Sequence, residues 1–472
     1  IPNENITPES FMQPTQHRFS LKAPTVSTVC KLLENINVRK ATGLDGVPNK
    51  LLKLAAHIVA PSLTEIFAQS IKTGIFPIEW KIARVTPIFK KGKKNDLNNY
   101  RPISVIPTVA KIFEKIVYDQ LFSYFNDKKL LASCQSGFRS FHSTLTALTE
   151  ATNSWAVNID NGLLNGVVFL DLKKAFDTID HSIILRKLKF YGIEQETLKW
   201  FQSYLDDRQQ LCSVNGHMSD LRAVSCGVPQ GSNLGPLLFL IYINDLPNCL
   251  NAASPRMFAD DTNISFAAPT LLELENVLNR ELRNVNLWLK VNKLSLNIAK
   301  TECMVIGSRQ RLNYNTDGNI NITINDQPIK KVKETETLGM AIDQHLTWSK
   351  HVEEKSKKIS SAIGALKRVR PFITTDVANK IYKAIIQPHI DYCSTVWDGL
   401  GSTLLDKIQK LQNRAARIVT QSNYYTSASS LVEELGWDKV SIRWKKQKAI
   451  LMFKTLNNSA PEYLRNLFTH RN

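Results

Sequence analysis

At 472 residues the chain is too long for one ordinary domain, and about three folding units is the expectation. A hydrophobic content of 43%, with 8 tryptophans and 20 phenylalanines, supplies a large core and excludes disorder over most of the length. Lysine and arginine outnumber aspartate and glutamate 60 to 42, and the net charge of +18 points to a polyanionic partner, most often nucleic acid.

The 7 cysteines are scattered and odd in number, with no Cys-x-x-Cys. That argues against a zinc ribbon or a disulfide framework and fits a reducing intracellular compartment. The longest strongly apolar run, Leu237 to Ile243, is far too short to span a bilayer, so no membrane partner is expected. No secretory signal opens the chain. It starts Ile1-Pro2-Asn3, and is expected to be a fragment of a longer protein.

Residues 1–24, with prolines at 2, 8, 14 and 24, read as a tether. From Thr25 the spacing of Val29, Leu32, Leu33 and Ile36 predicts a helix. A turn through Gly43, Gly46 and Pro48 leads to an apolar helix through Leu51, Leu54, Ile58 and, past Pro61, Leu63, Ile66 and Phe67. An extended segment over 83–89 runs into Lys90-Lys91-Gly92-Lys93-Lys94, which suits either a loop that follows a phosphate or a solvated turn. Asn99-Tyr100-Arg101-Pro102-Ile103-Ser104 comes next, then helices over 108–125 and 141–159.

Residues 166–172 form a nearly continuous apolar run, as in a buried central strand. The run holds Asp171 at its end, and an acid there is costly unless a partner or a metal satisfies it. Helices are predicted over 182–190 and 195–206, the second closing on Asp206-Asp207 as a solvated end. Residues 209–224 read as a hairpin turning at Asn215-Gly216. In Gly227-Val228-Pro229-Gln230-Gly231-Ser232 two glycines and a proline set an unusual backbone path, which lets another backbone or a ligand come close. A helix over 234–243 follows.

Met257-Phe258-Ala259-Asp260-Asp261-Thr262-Asn263 is a tight hairpin with two acids at its tip. Adjacent carboxylates repel unless a cation sits between them, and hard cations prefer such oxygens. A helix over 270–291 precedes a return to a strand at 303–306. Residues 309–326 read as loop-strand-loop, and helices follow near 350–369 and 376–387. The helix over 403–419 has two faces, Leu404, Ile408, Leu411 and Ile418 against Lys407, Lys410, Arg414 and Arg417. The basic face is either a solvated surface or a contact to a nucleic-acid backbone. Lys355, Lys357, Lys358, Lys367, Arg368 and Arg370 add to the basic character of this end.

A strand ending on Asp171 beside a hairpin carrying Asp260 and Asp261 can hold two metals about 3.5–4 Å apart. The full ordered set is more specific. It comprises Asn99-Tyr100-Arg101-Pro102-Ile103-Ser104, Gln135-Ser136-Gly137-Phe138-Arg139, Phe169-Leu170-Asp171-Leu172 through Ala175-Phe176-Asp177, Gly227-Val228-Pro229-Gln230-Gly231, Phe258-Ala259-Asp260-Asp261, Leu294 through Lys300-Thr301, and Leu338-Gly339. In order and spacing this set resembles the reverse transcriptases, above all those of non-LTR retrotransposons of the LINE-like, jockey/CR1 kind.

The resemblance implies an α+β right-hand polymerase: fingers, a palm with an antiparallel sheet and helices, and a helical thumb. The expected division is 1–24 tether, 25–160 N-terminal extension and fingers, 161–340 palm, 341–400 thumb and 401–472 basic helical extension, with the reverse transcriptase domain over about 71–340. It makes Asp171, Asp260 and Asp261 the carboxylates for two Mg²⁺ ions, with Mn²⁺ as a substitute, and gives Leu172 a backbone carbonyl ligand. Arg101 matches the residue gripping the incoming triphosphate, with Lys90 as a second candidate. Phe176 matches the aromatic gate against a ribose 2′-hydroxyl, although core packing alone would also explain it. Gln230 and Gly231 match the loop at the nascent pair, and Lys300 the lysine that protonates pyrophosphate. Leu338 and Gly339 match the primer grip, and Gln135 and Arg139 the template contact.

The implied activity is RNA-directed DNA synthesis on an RNA template from a DNA primer or target with dNTPs, serving target-primed copying of a retrotransposon RNA. The alternative is a catalytically decayed, nucleic-acid-binding remnant. An upstream endonuclease is expected in the full-length protein, and a ribonucleoprotein of the nucleus or cytoplasm is the expected setting.

Overall fold

The structure, a computed structural model, describes residues 6–314 and 320–468. Residues 1–5 of the expected tether, 315–319 of the expected loop and 469–472 of the expected extension lie outside the described residues. Helices and sheets are mixed throughout. The chain divides into two compact units: Ile1–Phe138, Leu172–Asn251 and Arg283–Asn297 form the first, and Arg139–Asp171, Ala252–Leu282 and Ile298–Asn472 the second. No described helix is long and apolar enough to cross a membrane.

In the first unit strand Ile82–Phe89 pairs antiparallel with Tyr100–Val105 and parallel with Arg208–Val214. The last strand turns back through Asn215 and Gly216, both at positive φ, to meet His217–Met218. Helices Ala56–Thr73, Thr108–Asp127 and Gln195–Leu205 supply an aromatic cluster. Phe67 stacks on Phe113 with centroids 4.5 Å apart, and Trp200 on Tyr204, one helical turn away, at 5.6 Å. Helix Gly235–Ile243 is apolar on every side and accordingly buried almost throughout. The Lys187 ammonium is buried against Asp245 at 2.5 Å.

Two expectations change here. Leu51, Leu54, Ile58 and Ile66 are exposed, and Leu52, Ala56 and Ala60 face the core together with the expected Phe67. The chain breaks at Ala55 between Asn49–Leu54 and Ala56–Thr73, so one helical phase does not run through both. From residue 6 onward the proline-rich start is packed rather than free. Phe19 donates its N–H to the Gly192 carbonyl at 2.9 Å and accepts from Glu194 at 3.0 Å, and Met12 and Leu21 are buried.

In the second unit a five-stranded sheet runs in the order Lys330–Lys331, Glu302–Ile306, Leu164–Leu170, Asp261–Ala268, Ser254–Phe258. The central strand is antiparallel to both neighbours. Its unbroken apolar run follows from that place, since Leu164, Val167, Val168 and Leu170 are all buried. The core continues through Trp155, Met304, Ile342 and Trp348 into the helices Ser349–Val369, Ser402–Thr420 and Val440–Leu456. The helix expected over 376–387 is Thr375–Ile381, a widened π turn at Tyr382–Ile386, and Gln387–Asp391. Pro388 has no N–H to give, which accounts for the distorted hydrogen-bond ladder before it. The segment 309–326 holds a short helix, Arg309–Tyr314, and a hairpin of Thr323–Ile324 with Gln327–Pro328, where a single strand between loops is expected.

Candidate active site

The three acids meet at one end of the second unit's sheet. In the register of the central pair Leu170 faces Thr262, so the next positions are Asp171 and Asp261. Across the hairpin Phe258 faces Asp261, which leaves Ala259 and Asp260 as a two-residue turn. Asp260 is therefore the tip and Asp261 the first residue of the returning strand. Ala259 takes a left-handed backbone at φ 55°, a costly conformation for a residue with a Cβ. By contrast Asp206 and Asp207 close the helix Gln195–Leu205, with Asp207 exposed, as expected.

Asp171 and Asp260 are half-buried and Asp261 is exposed. The Asp171 N–H reaches Thr301 Oγ1 at 3.4 Å, which ties this strand end to the segment carrying Lys300. Thr301 is fully buried while Lys300 is exposed. Among the described residues no lysine or arginine forms an ion pair with Asp171. Carboxylates offer only oxygen donors, the kind that hard divalent cations prefer.

Lys90, Arg101, Gln135, Leu172, Phe176, Gln230 and Gly231 lie in the first unit, whereas Arg139, Lys300, Leu338, Gly339 and the basic residues of 407–417 lie in the second. The loop at 227–231 is held by backbone on two sides. Gly227 N–H donates to Ile179 O at 2.8 Å, and Val228 N–H to Phe176 O at 2.9 Å. On the other side Ser104 N–H donates to Gln230 O at 2.7 Å. A Cβ on Gly227 would sit 2.6 Å from Asp177 O, and one on Gly231 2.7 Å from Ser104 O, which is why both positions need glycine. The Gln230 amide donates from Nε2 to Asp177 Oδ1 at 2.8 Å. A cleft of about 350 Å³ opens here, lined by Pro102, Ser104, Lys174, Asp177, Arg208 and Gln230.

Phe176 is half-buried, stacked on Phe239 at 4.4 Å and edge-on to Phe138 at 6.4 Å. Arg101 is exposed on Tyr100–Val105, opposite Ile88. Lys90 N–H bonds Asn99 O at 2.8 Å, which puts Lys90 and Arg101 at the same end of one ribbon. Leu172 is buried and bridges to Leu296.

Gln135 is buried, and its Oε1 accepts from Gly137 N–H at 2.7 Å, so its side chain shapes the turn of its own segment. Arg139 is half-buried. Leu338 and Gly339 form the two-residue turn between Glu334–Thr337 and Met340–Asp343. On the helix Ser402–Thr420 the side chains of Lys407, Lys410 and Arg414 are exposed. Arg417 is half-buried, with Nη2 3.4 Å from Thr426 O and its guanidinium over the Tyr424 ring. Lys355 and Arg370, counted with the basic surface, turn inward. Arg370 donates to the carbonyls of Val419 and Ile373, and Lys355 to that of Gly339.

Three supporting residues stand outside the site expected from the sequence. Asp177 holds Gln230, and its place at the end of the Phe169 to Asp177 motif is a usable signal. Glu114 is fully buried, and its oxygens accept from the Tyr204 hydroxyl and Asn233 N–H, each at 2.7 Å. Its signal was a lone acid among the apolar Ile112, Phe113, Ile116 and Val117. Tyr392 bonds the Leu338 carbonyl at 2.7 Å, and no local pattern marks it. Elsewhere Cys30, Glu34 and His57 are metal-type donors close together. Their imidazole is divided, Nδ1 lying 3.3 Å from Cys30 Sγ and Nε2 3.1 Å from Glu34 Oε1, which makes a hydrogen-bonded chain rather than a metal centre.

Residues 90–342 match the model of the family described as reverse transcriptase (RNA-dependent DNA polymerase). The chain is 27% identical to a protein from transposon BS of Drosophila melanogaster, over 91% of this chain and 48% of that protein. It is 26% identical to the RNA-directed DNA polymerase from mobile element jockey of Drosophila melanogaster, over 99% of this chain and 51% of that protein. Identity to the jockey polymerase of Drosophila funebris is also 26%, over 92% of this chain and 48% of that one. The chain thus spans about half the length of the curated relatives it matches. With the family match covering more than half of its residues, and the ordered motifs lying where it falls, the chain belongs to the reverse transcriptase family.

Proposed function

We propose that the chain is an RNA-directed DNA polymerase that adds deoxynucleotides to a primer 3′-end on an RNA template, in target-primed copying of a retrotransposon RNA. The observation that carries this reading is the sheet register that brings Asp171 opposite Asp261, beside the turn holding Asp260. In this reading the second unit's five-stranded sheet is the palm and the ribbon of Ile82–Phe89 with Tyr100–Val105 belongs to the fingers. The helices over 341–400 are the thumb, and 401–472 the basic extension.

Asp171, Asp260 and Asp261 would hold two Mg²⁺ ions, with the Leu172 carbonyl as a further ligand and Mn²⁺ as a substitute. When bound, such ions lower the pKa of the attacking 3′-hydroxyl and neutralise charge on the departing pyrophosphate. Arg101 grips the triphosphate, since a guanidinium forks onto phosphate oxygens, and Lys90 adds a second cation. Phe176 occupies the space of a ribose 2′-hydroxyl. Gln230, held by Asp177, and Gly231 lie along the nascent pair. Lys300 donates a proton to pyrophosphate. Leu338 and Gly339 support the primer strand, Arg139 and Gln135 belong to the template side, and Lys407, Lys410 and Arg414 follow phosphates.

The test is extension of oligo(dT) on poly(rA). Extension in Mg²⁺ and its loss in EDTA are expected. No extension at low salt, by a chain that still binds primer–template, would leave a binding remnant in place of an enzyme.

A further inference from the structure

Leu338 and Gly339 are consecutive left-handed residues, at φ 46° and 76°. This is the backbone of a two-residue hairpin turn, which glycine and asparagine accept and leucine does not. A leucine persists in that conformation only where its surroundings hold it. Here both carbonyls of the turn are held from one side. The Tyr392 hydroxyl donates to Leu338 O at 2.7 Å, and Lys355 Nζ to Gly339 O at 3.4 Å. The ring of Tyr392 lies beneath Gly339, where an added Cβ would come 3.4 Å from Cε1. The Lys355 ammonium sits 5.4 Å from the centre of the same ring.

Tyr392 is itself fixed. Its N–H donates to Pro388 O at 3.0 Å, and its carbonyl accepts from Trp397 Nε1 at 3.0 Å. Its hydroxyl is also 3.1 Å from Thr144 Oγ1, at the start of helix Thr144–Asp160. Lys355 is almost wholly buried on helix Ser349–Val369, an unusual place for a lysine with no carboxylate bonded to it among the described residues. Its charge is satisfied by a carbonyl dipole and an aromatic face.

We propose that Tyr392 and Lys355 are positioning residues that fix the shape of the Leu338 and Gly339 turn, and through it the seat of the primer strand. The proposal rests on reading that turn as the primer grip. Nucleic acid meets the turn, while Tyr392 and Lys355 act from behind it on its two carbonyls. Their loss should therefore loosen the primer without touching the nucleotide.

The experiment is steady-state extension with primer–template and dNTP varied separately, for Tyr392→Phe, Lys355→Met and Gly339→Ala. Tyr392→Phe keeps the ring and removes one hydrogen bond. It should raise KM for primer–template on the order of five- to tenfold, and leave KM for dNTP unchanged. Lys355→Met should do the same. Gly339→Ala should raise the same constant, since alanine disfavours the left-handed backbone. If Gly339→Ala raises it while Tyr392→Phe and Lys355→Met stay within twofold of the unmutated chain, the positioning role is wrong and the grip survives. If Gly339→Ala changes nothing in KM for primer–template, the grip reading itself falls. A parallel rise in both KM values, with an earlier unfolding transition, would mean general destabilisation and would also overturn the proposal.

Discussion

At the scale of single residues, several motif positions take left-handed backbone. Phe138, Lys174, Ala259 and Leu338, all within motifs of the family, have positive φ without being glycine, as do residues outside the motifs such as Lys129, Leu346 and Trp348. Such positions cost stability and persist where the surrounding structure over-determines them. Phe176 is the residue for which packing and function compete most evenly, because it stacks on Phe239 and also borders the loop of Gln230. Phe176→Ala is expected to lower the preference for dNTP over rNTP by about ten- to a hundredfold in kcat/KM, the range one steric contact supplies. Competition between the two nucleotides measures it. A lower melting temperature with unchanged preference would reduce Phe176 to a packing residue.

At the scale of elements, Glu114 links helix Thr108–Asp127 to helix Gln195–Leu205 and to the segment after Gln230. Burial is the main cause that raises its pKa above the ordinary 4.5, outweighing Arg208 and the two hydrogen bonds. A carboxyl raised in the folded state favours folding most below its ordinary value, and that contribution is lost as pH climbs through the folded value. The unmutated chain should therefore lose stability relative to Glu114→Gln as pH rises above about 4.5. Urea midpoints across a pH series read this directly, and a difference that does not vary with pH would contradict it. Much at this scale was legible beforehand. The strand ending at Asp171, the hairpin of Asp260 and the helices of both units follow from runs and periods, which are local properties. What escaped depends on distant chain. Nothing local says that Gln230 meets Asp177 and Ser104, or that Tyr392 reaches Leu338. Leu51 and Leu54 mislead because the helix breaks at Ala55, and Lys355 and Arg370 because long basic side chains can turn inward to carbonyls.

At the scale of the whole molecule, a charge of +18 predicts nucleic-acid binding that weakens steeply with salt. The structure narrows which cations contribute. On the helix Ser402–Thr420, Lys407, Lys410 and Arg414 are exposed, whereas Arg417 leans on Thr426 and Tyr424. Replacing the first three by alanine should reduce the slope of log K against log salt by about 2–3, and fluorescence anisotropy between 50 and 200 mM salt measures it, both figures following from counterion release. An unchanged slope would make that face a solvated surface.

The central claim is that the acids at the sheet end carry polymerisation, and Asp260→Asn tests it most directly. The substitution keeps the size of the side chain and removes its charge. Primer extension on poly(rA)/oligo(dT) should fall by about a thousandfold or more, as expected for losing several kcal/mol of charge stabilisation, while primer–template binding and the unfolding transition stay in place. Extension within tenfold of the unmutated chain would contradict the account.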